Sequence, residues 1–181
     1  MGVEKRMADR CNTIRLYSFQ TDVVYQVLKR DGVCYSKEEY VRKKYKESAK
    51  VFINAYGWFV KEAQHIVPKP EGAEYPYWAF TDLYNVDQTG DGHVLTLDVP
   101  IGEAILFDMF DWTKIMQMHY IGENESEEAA FSEELKNMGM NEFQIMTSNF
   151  YPEQKARIQE SWKRLFGHQQ AIEAGDNSGV H

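Results

Sequence analysis

The spacing of hydrophobic residues at the start of the chain predicts a strand followed by a helix. From Ile14 to Phe19, apolar and polar residues alternate with a period of two, as expected for a strand that buries one face. That face would carry Ile14, Leu16 and Ser18. Thr21 is suited to cap a following helix and Gly32 to end it, because glycine readily adopts the left-handed conformation. The apolar stripe of this helix would comprise Val23, Val24, Val27 and Leu28.

The clearest helical pattern begins near Glu47 and must end before Pro68, because proline cannot donate a backbone hydrogen bond. Its apolar residues recur at intervals of three and four positions and so form one continuous face. They are Val51, Phe52, Ala55, Tyr56, Phe59, Val60 and Ala63. Upstream, Ser36 and Glu39 match a capping box, in which each side chain bonds the other residue's backbone amide. A helix should therefore also start at Ser36.

Three further segments read as strands in the middle of the sequence. Tyr77 to Tyr84 and His93 to Val99 are rich in residues that favour strands, and the turn-rich stretch from Asp87 to Gly92 would join them as a hairpin. Residues 85–92 also match the first half of a calcium-binding loop that would begin at Asn85. However, Thr96 occupies the twelfth position, where such a loop needs a bidentate glutamate, so a hairpin turn is preferred. Ala104 to Phe107 would form a short additional strand.

The C-terminal half of the sequence reads as helical. Asp108 would cap a helix that runs to about Tyr120, with Asp111 in the first turn, where the helix dipole favours an acid. Apolar spacing and flanking glycine or proline residues predict three more helices. They cover residues 123–139, 142–147 and 152–166. In the last of these, Trp162 should be a buried anchor of the fold.

These elements indicate the α+β class. We expect a single domain over residues 14–167, with a small and mostly antiparallel sheet, flanking helices and a helical C-terminal region. Residues 1–13 should form a flexible N-terminus, and residues 168–181 a disordered tail.

Charge and cysteine content exclude some classes of function. The chain has 20 basic and 28 acidic residues and a formal net charge of -8, which disfavours general nucleic-acid binding. Cys11 and Cys34 lack the spacing of a zinc site or a disulfide framework, so no metal is expected. The charged N-terminus and the lack of any apolar run of about 18 residues argue against a secretion signal or a membrane span. The sequence is typical of a cytoplasmic protein.

Aromatic and acidic residues are concentrated between Tyr75 and Tyr120, which is typical of a ligand cleft and equally of an ordinary core. No phosphate-binding loop, serine-hydrolase motif or zinc-protease motif is present, so no motif identifies a reaction. Arg15 lies out of phase with the apolar face of the first strand. Arg15 could bind a phosphate or carboxylate in a bidentate way, through two N–H groups of its guanidinium, or it could lie exposed to solvent.

Three further candidates, Asp108, Trp112 and His119, have both structural and functional interpretations. Asp108 either caps its helix or works with Asp111 in acid–base chemistry. Trp112 and His119 share a predicted helix face, which could be a core stripe that ends in a satisfied histidine or a site with a catalytic base. The complete set of candidate ligand-binding residues is Arg15, Tyr17, Gln20, Tyr75, Trp78, Asp108, Trp112 and His119.

Several short segments together resemble the bacterial family known as domain of unknown function 3841. The resemblance extends from about Ile14 to Phe166. The segments are 16–20, Gly32, 56–61, 68–72, 75–78, 94–100, 105–108, Trp112, 148–152 and 160–166. The resemblance implies a bacterial or phage protein of the cytosol, and it implies no particular activity.

A second resemblance is to ADP-ribosyltransferase-like domains. The shared features are a first strand with a basic residue, a short helix, a glycine, and a later strand that ends in Asp98-Val99-Pro100. Such folds hold NAD in a cleft, so the resemblance implies NAD as a cofactor to test and Arg15 as a binding residue. The chain offers no identifiable catalytic glutamate for this role.

Two hypotheses of different classes follow. The first is an aromatic-lined pocket that binds a nucleotide-like or other small ligand, with ADP-ribosyltransferase-like chemistry as one version of it. The second is a non-enzymatic protein-interaction or anti-defence factor, whose acidic surface would bind a basic protein partner. The acidic segment from Glu123 to Glu134 motivates the second hypothesis.

Overall fold

A computed structural model describes residues 13–167, which divide into two compact units. Unit 1 comprises residues 13–38 and 63–105, and unit 2 comprises residues 39–62 and 106–167. A two-stranded antiparallel sheet together with helices confirms the α+β class. The predicted flexible N-terminus, apart from Thr13, and the predicted disordered tail lie outside the described residues. The single-domain boundary at 14–167 stays a prediction.

The sheet belongs to unit 1 and consists of β1, Thr13–Thr21, and β2, Gly92–Pro100. The strands pair antiparallel from Thr13 opposite Pro100 to Thr21 opposite Gly92. Leu16 and Ser18 are buried, as the alternating pattern predicted for one face of β1. Helix α1, Asp22–Asp31, follows directly, and Gly32 ends it in the left-handed conformation with φ 74.

The start of α1 differs from the prediction. Thr21 occupies the N-cap position, but its side chain makes no capping hydrogen bond. Val23 is 73% exposed, and no residue of the helix is fully buried, so the apolar stripe packs only in part.

The predicted strand from Tyr77 to Tyr84 is wrong. Only Phe80 pairs with β1, through two 2.8 Å backbone hydrogen bonds with Tyr17. Because β2 pairs with β1, the hairpin prediction for residues 87–92 is also wrong: the two paired strands are far apart in sequence. Asp87 instead accepts hydrogen bonds from the amide and hydroxyl of Thr89, which makes a local turn.

The capping box at Ser36 is wrong as well. The Ser36 carbonyl accepts from the amides of Glu74 and Tyr75, both at 3.2 Å, so its backbone joins a bridge instead of a helix. Helix α2, Glu38–Tyr45, begins two residues later. Its first amide donates to the Glu74 carboxylate at 2.8 Å, so a residue distant in sequence supplies the capping acceptor.

Unit 2 is helical. After a 3₁₀ turn at Lys46–Ser48 comes α3, Ala49–Ala63, which confirms the clearest helical pattern in the sequence. The remaining helices are α4, Met109–Met116; α5, Glu125–Asn137; α6, Glu142–Thr147; and α7, Pro152–Ser161, which continues as a 3₁₀ turn over Trp162–Phe166. The short strand predicted at Ala104–Phe107 is absent among the described residues, because this segment has no strand to pair with.

Fully buried side chains form the core of unit 2. They are Ile115, Met118, Leu135, Ile145, Ile158, Trp162 and Leu165. Trp162 is 0% exposed, which confirms its predicted role as an anchor, and its ring packs edge-on to Trp58 with centroids 5.3 Å apart. None of the helices within residues 13–167 is long and apolar enough to cross a membrane.

Candidate ligand cleft around His119

An open cleft of about 400 Å³ lies within unit 2, between the end of α4, one face of α5 and the start of α6. Its walls carry several polar and charged groups, unlike the aromatic pocket predicted from the sequence. The lining residues are Lys114, Gln117, His119, Tyr120, Glu128, Ala129, Ser132 and Glu142. His119 is the only sequence-predicted candidate among them.

The end of α4 determines where His119 lies. The helix stops at Met116, four residues before the predicted end, because Met118 adopts the left-handed conformation with φ 63. The amides of Met118 and His119 then donate to the carbonyls of Ile115 and Lys114 at 2.9 and 2.8 Å. This is a Schellman motif with methionine where glycine is usual. The fully buried Met118 side chain fixes the residue in this unfavourable conformation.

Side chains of the C-terminal region hold the segment that follows Met118. The Trp162 indole N–H donates to the His119 carbonyl at 2.6 Å. The Ile121 amide donates to the Ser161 hydroxyl at 3.0 Å, and the Ile121 carbonyl accepts from Arg164 at 2.7 Å. An irregular segment buried in this way needs such partners, because it has no helix or sheet to satisfy its backbone.

Glu142, the first residue of α6, also makes hydrogen bonds to this segment. One carboxylate oxygen accepts from the Tyr120 amide at 2.9 Å, and the other lies 2.5 Å from Nδ1 of His119. Glu142 is itself fixed by the capping box between Asn141 and Gln144 that begins α6. Its side chain is only 14% exposed, whereas that of His119 is 49% exposed. The carboxylate therefore orients an imidazole that remains accessible.

Electrostatics favour a protonated His119. The hydrogen bond to Glu142 raises the pKa of His119 above its ordinary value and outweighs burial, which lowers it. The charge of Glu128 adds to this effect, and that of Lys114 opposes it. With Nδ1 directed at Glu142, Nε2 has no hydrogen-bond partner among residues 13–167, so a ligand can accept its proton or hydrogen bond.

Lys114 and Glu128 form the second charged pair of the cleft, with Nζ 2.5 Å from Oε1 of the carboxylate. The same oxygen accepts from the Gly122 amide at 3.0 Å. Burial raises the pKa of Glu128, but these two hydrogen bonds and the charges of Lys114 and His119 together outweigh it, so the net shift is downward. A Cβ on Gly122 would lie 2.6 Å from Cγ of Glu128, so only glycine permits this approach.

Tyr120 lines the cleft, and its ring contacts two other side chains. It stacks on Phe131 with ring centroids 4.4 Å apart, and the Arg164 guanidinium lies 5.9 Å from the centre of its ring. The phenol donates to Glu127 at 2.6 Å, and this hydrogen bond is the largest cause of a raised Tyr120 pKa. The phenol therefore stays neutral and acts as a structural donor.

Three candidates from β1 are separated by the alternation of the strand. Arg15 forms a two-pronged ion pair with Asp98 on β2, at 2.8 and 3.1 Å, and the two side chains are 61% and 56% exposed. Tyr17 lies on the same face of β1 as Arg15. Gln20 lies on the opposite face, where it donates to Ser18 at 2.7 Å. The structure does not bring these three side chains together.

The two aromatic candidates of unit 1 have structural contacts. Tyr75 is buried, and its hydroxyl donates to Glu38 at 3.1 Å. Trp78 is half-buried, and its carbonyl accepts from the buried Ser18 hydroxyl at 2.7 Å. These contacts tie the 75–80 segment to Glu38 and to β1.

Asp108 and Trp112 belong to α4. Asp108 caps the helix by accepting from the amides of Phe110 and Asp111, at 2.6 and 3.4 Å, as its capping interpretation predicted. Trp112 packs among aromatic rings, 5.6 Å from Phe59 and 5.9 Å from Tyr56 between centroids. Because α4 ends before His119, Trp112 and His119 do not share a helix face, and neither Asp108 nor Trp112 lines the His119 cleft.

Sequence reasoning missed most of the cleft. The missed residues are Lys114, Gln117, Tyr120, Glu128, Ala129, Ser132 and Glu142. Glu142 is 23 positions from His119, and the first position of a helix is a common place for an acid, so no local signal distinguished it. The one usable signal was Gly122, a glycine directly before a predicted helix. Among residues 13–167, no group of three or more histidine, cysteine, aspartate or glutamate side chains is arranged to hold a metal ion.

The cleft defines a polar site within a helical unit of an α+β protein, and its residues match no catalytic motif. The chain belongs to the family described as "Domain of unknown function (DUF3841)", whose sequence model matches residues 15–180. The family resemblance found in the sequence is thereby confirmed. No curated protein and no solved structure matches the chain.

Proposed function

We propose that the protein binds a small polar ligand in the His119 cleft, and that His119 donates a hydrogen bond or a proton to this ligand from Nε2. The observation that supports this proposal is the accessible imidazole on a fixed segment. Glu142 engages Nδ1 at 2.5 Å, and Trp162 holds the His119 carbonyl at 2.6 Å. A histidine fixed in this way loses little conformational entropy when a ligand binds.

The arrangement also suits general acid catalysis. A carboxylate on Nδ1 stabilises the imidazolium and directs its other proton outward, and the raised pKa of His119 favours this protonated form. Such a group can protonate a leaving oxygen or nitrogen of a bound ligand. We therefore propose an acid–base role for His119 in any reaction that occurs in this cleft.

Imidazole NMR spectra of the uniformly ¹⁵N-labelled protein test the proposal. Pools of polar metabolites are added, and saturable shifts are sought in the His119 signals, which are assigned by their loss in His119→Gln. His65→Gln is the matched control, because His65 is an exposed histidine of unit 1. If no pool shifts His119, or if the same compounds bind equally to His119→Gln, the proposal is wrong.

The finer hypothesis from the sequence is a nucleotide-like ligand or NAD, held by Arg15, Tyr17, Gln20, Tyr75 and Trp78. The pairing of Arg15 with Asp98 and the hydrogen bond of Tyr75 to Glu38 argue against it, because both polar groups already have partners. Thermal-shift measurements with NAD and nucleotides on the wild type and Arg15→Ala test it directly. A melting temperature raised by NAD in the wild type alone would revive this hypothesis.

The alternative hypothesis is a protein partner bound by the acidic surface of α5. Internal pairing weakens it, because four of the five glutamates of α5 have partners within the chain. Only Glu125 is exposed without one among the described residues. Recovery of a stoichiometric basic partner at low salt, and its loss at high salt, would nevertheless support this alternative.

A further inference from the structure

We propose that the ligand of the His119 cleft carries an oxyanion, either a carboxylate or a phosphate. Lys114 and His119 bind this anionic group together. This inference rests on the proposed function and specifies the class of ligand.

Both cations retain hydrogen-bond donors that no group in the described part of the chain uses. Lys114 donates to Glu128 alone among residues 13–167, which leaves two of its three N–H bonds for a ligand. Nε2 of His119 is likewise without a partner in the described part of the chain. Both side chains line the same cleft of about 400 Å³, so a single ligand in that cleft can contact both. Their charges also interact, because Lys114 lowers the pKa of His119.

Neutral donors line the same cleft. The side chains of Gln117 and Ser132 make no hydrogen bond within residues 13–167, and both face the cleft. Each could donate to a further oxygen of the ligand. An anion with two or more oxygens would use this set of donors, whereas a cationic ligand would meet two positive charges.

The acceptors of the cleft are mostly in use. Both oxygens of Glu142 are occupied, one by the Tyr120 amide and one by His119. Oε1 of Glu128 accepts from both Lys114 and Gly122, whereas Oε2 has no hydrogen-bond partner among the described residues. The paired carboxylates thus balance the charge of the cations without competing for their remaining donors. The free Oε2 favours a ligand with a hydroxyl beside its anionic group, since that hydroxyl can donate to it.

Titrations followed by the His119 imidazole signals test this inference at constant ionic strength, near pH 6.5. The probes are inorganic phosphate, lactate as a hydroxylated carboxylate, and glycerol as a neutral polyol. We expect saturable binding of phosphate, lactate or both, and none of glycerol. Binding of only one anion would identify the ligand as a phosphate or as a carboxylate, respectively.

Variants of Lys114 separate a binding role from a structural one. Lys114→Met should weaken anion binding by about ten-fold or more, whereas Lys114→Arg, which keeps the charge, should bind within about three-fold of the wild type. Lys136→Met is the matched control, because Lys136 also pairs with a glutamate of α5 but lies outside the cleft. It should leave affinity unchanged within about two-fold.

The outcomes distinguish this inference from the proposed function. If neutral metabolites shift His119 while phosphate and lactate do not, the cleft binds a ligand but the oxyanion inference is overturned. If anions bind equally well to Lys114→Met and to the wild type, Lys114 has no part in binding and the inference fails. If no compound of any class shifts His119, both proposals fail together.

Discussion

The β1–β2 sheet of unit 1 and the 118–123 segment of unit 2 both carry charged side chains, but they use them in opposite ways. In the sheet, each strand bonds the backbone of the other along one edge, and Arg15 and Asp98 form an exposed ion pair with atoms 2.8 Å apart. In the segment, side chains such as Ser161 and Glu142 are used to satisfy the backbone. Within this segment, Nε2 of His119 has no hydrogen-bond partner in the part of the chain that the structure describes.

The comparison suggests how a polar site can arise within a helical unit. In a regular strand the neighbouring strand bonds the backbone, so the side chains can pair with one another. Because these polar side chains are paired, the surface they form is inert even where the sequence is rich in polar residues. An irregular segment requires partners for its backbone, and these partners fix it in place. The functional group is then the side chain that remains accessible on a rigid support.

The largest expected effect concerns Trp162, which supports the segment. Trp162→Ala should lower the free energy of unfolding by about 3 to 5 kcal/mol, because it leaves a large cavity and removes the donor to the His119 carbonyl. Trp78→Ala should cost less, since Trp78 is only half-buried. Urea denaturation measures both changes. Equal losses would mean that the 75–80 segment is as tightly packed as the support of His119.

Trp162→Phe refines this experiment. Most of the buried ring remains, but the indole N–H is lost and the His119 carbonyl has no donor. We expect a loss of about 1 to 3 kcal/mol from this unsatisfied group alone. A change in the His119 imidazole signals should accompany it. Unaltered signals would contradict the view that Trp162 positions this residue.

The second prediction concerns Gly122, where the backbone and a cleft carboxylate are in closest contact. Gly122→Ala should destabilise the protein by about 1 to 3 kcal/mol, because the new Cβ would lie 2.6 Å from Cγ of Glu128 and 2.8 Å from the Asn124 carbonyl. The same substitution at Gly57, an exposed position of α3 with no atom within 4 Å of the new Cβ, should stabilise the helix by about 0.5 to 1 kcal/mol. Chemical denaturation of both variants provides the comparison, and a neutral Gly122→Ala would show that Glu128 can move freely.

The sequence predicted the regular elements better than the cleft, for a physical reason. β1, α3 and α6 depend on local periodicity and on nearby capping residues, so they could be recognised from short stretches of sequence. The 77–84 strand failed because its aromatic content indicated a strand, while strand formation depends on a partner elsewhere in the chain. Only the bridge at Phe80 forms.

The cleft could be predicted only at His119, and the argument that selected this residue was wrong. It assumed that α4 continues to Tyr120, whereas Met118 adopts the left-handed conformation and ends the helix. A methionine at that position gives no sign of its conformation, since glycine or asparagine is usual there. Glu142 and Trp162 reach His119 from 23 and 43 positions away, and no local pattern reports contacts of that range.

A third prediction uses pH to examine the His119–Glu142 pair. Because the folded-state pKa of His119 is raised above 6.5, the pair stabilises the protein fully below that pH and loses its contribution as pH rises through the folded-state value. His119→Gln should therefore cost more stability at about pH 6 than at about pH 9. The charge of Glu128 raises the pKa of His119 and that of Lys114 lowers it, and the net upward direction used here already includes both.

Denaturation curves at the two pH values measure this difference, with His65→Gln as the control for an exposed histidine. His65→Gln should lose the same small amount of stability at both pH values. A loss in His119→Gln that is constant or grows with pH would mean that the imidazole is bound to Glu142 in its neutral form. It would also remove the argument for His119 as an acid.

The smallest expected effect on stability is that of replacing Arg15, whose side chain is paired with Asp98 of the sheet. The Arg15–Asp98 pair is exposed on both sides, so solvent screens it, and the pKa of Asp98 is lowered mainly by the hydrogen bond from Arg15. Arg15→Ala should change the free energy of unfolding less than Trp162→Ala, Gly122→Ala or His119→Gln, and it should leave the His119 imidazole signals unchanged. Denaturation at low and at high salt measures the change, which should shrink as salt rises. A large, salt-independent loss would mean that the pair organises the sheet. The contrast between the sheet, in which Arg15 is paired with Asp98, and the fixed segment, on which His119 is accessible, would then no longer hold.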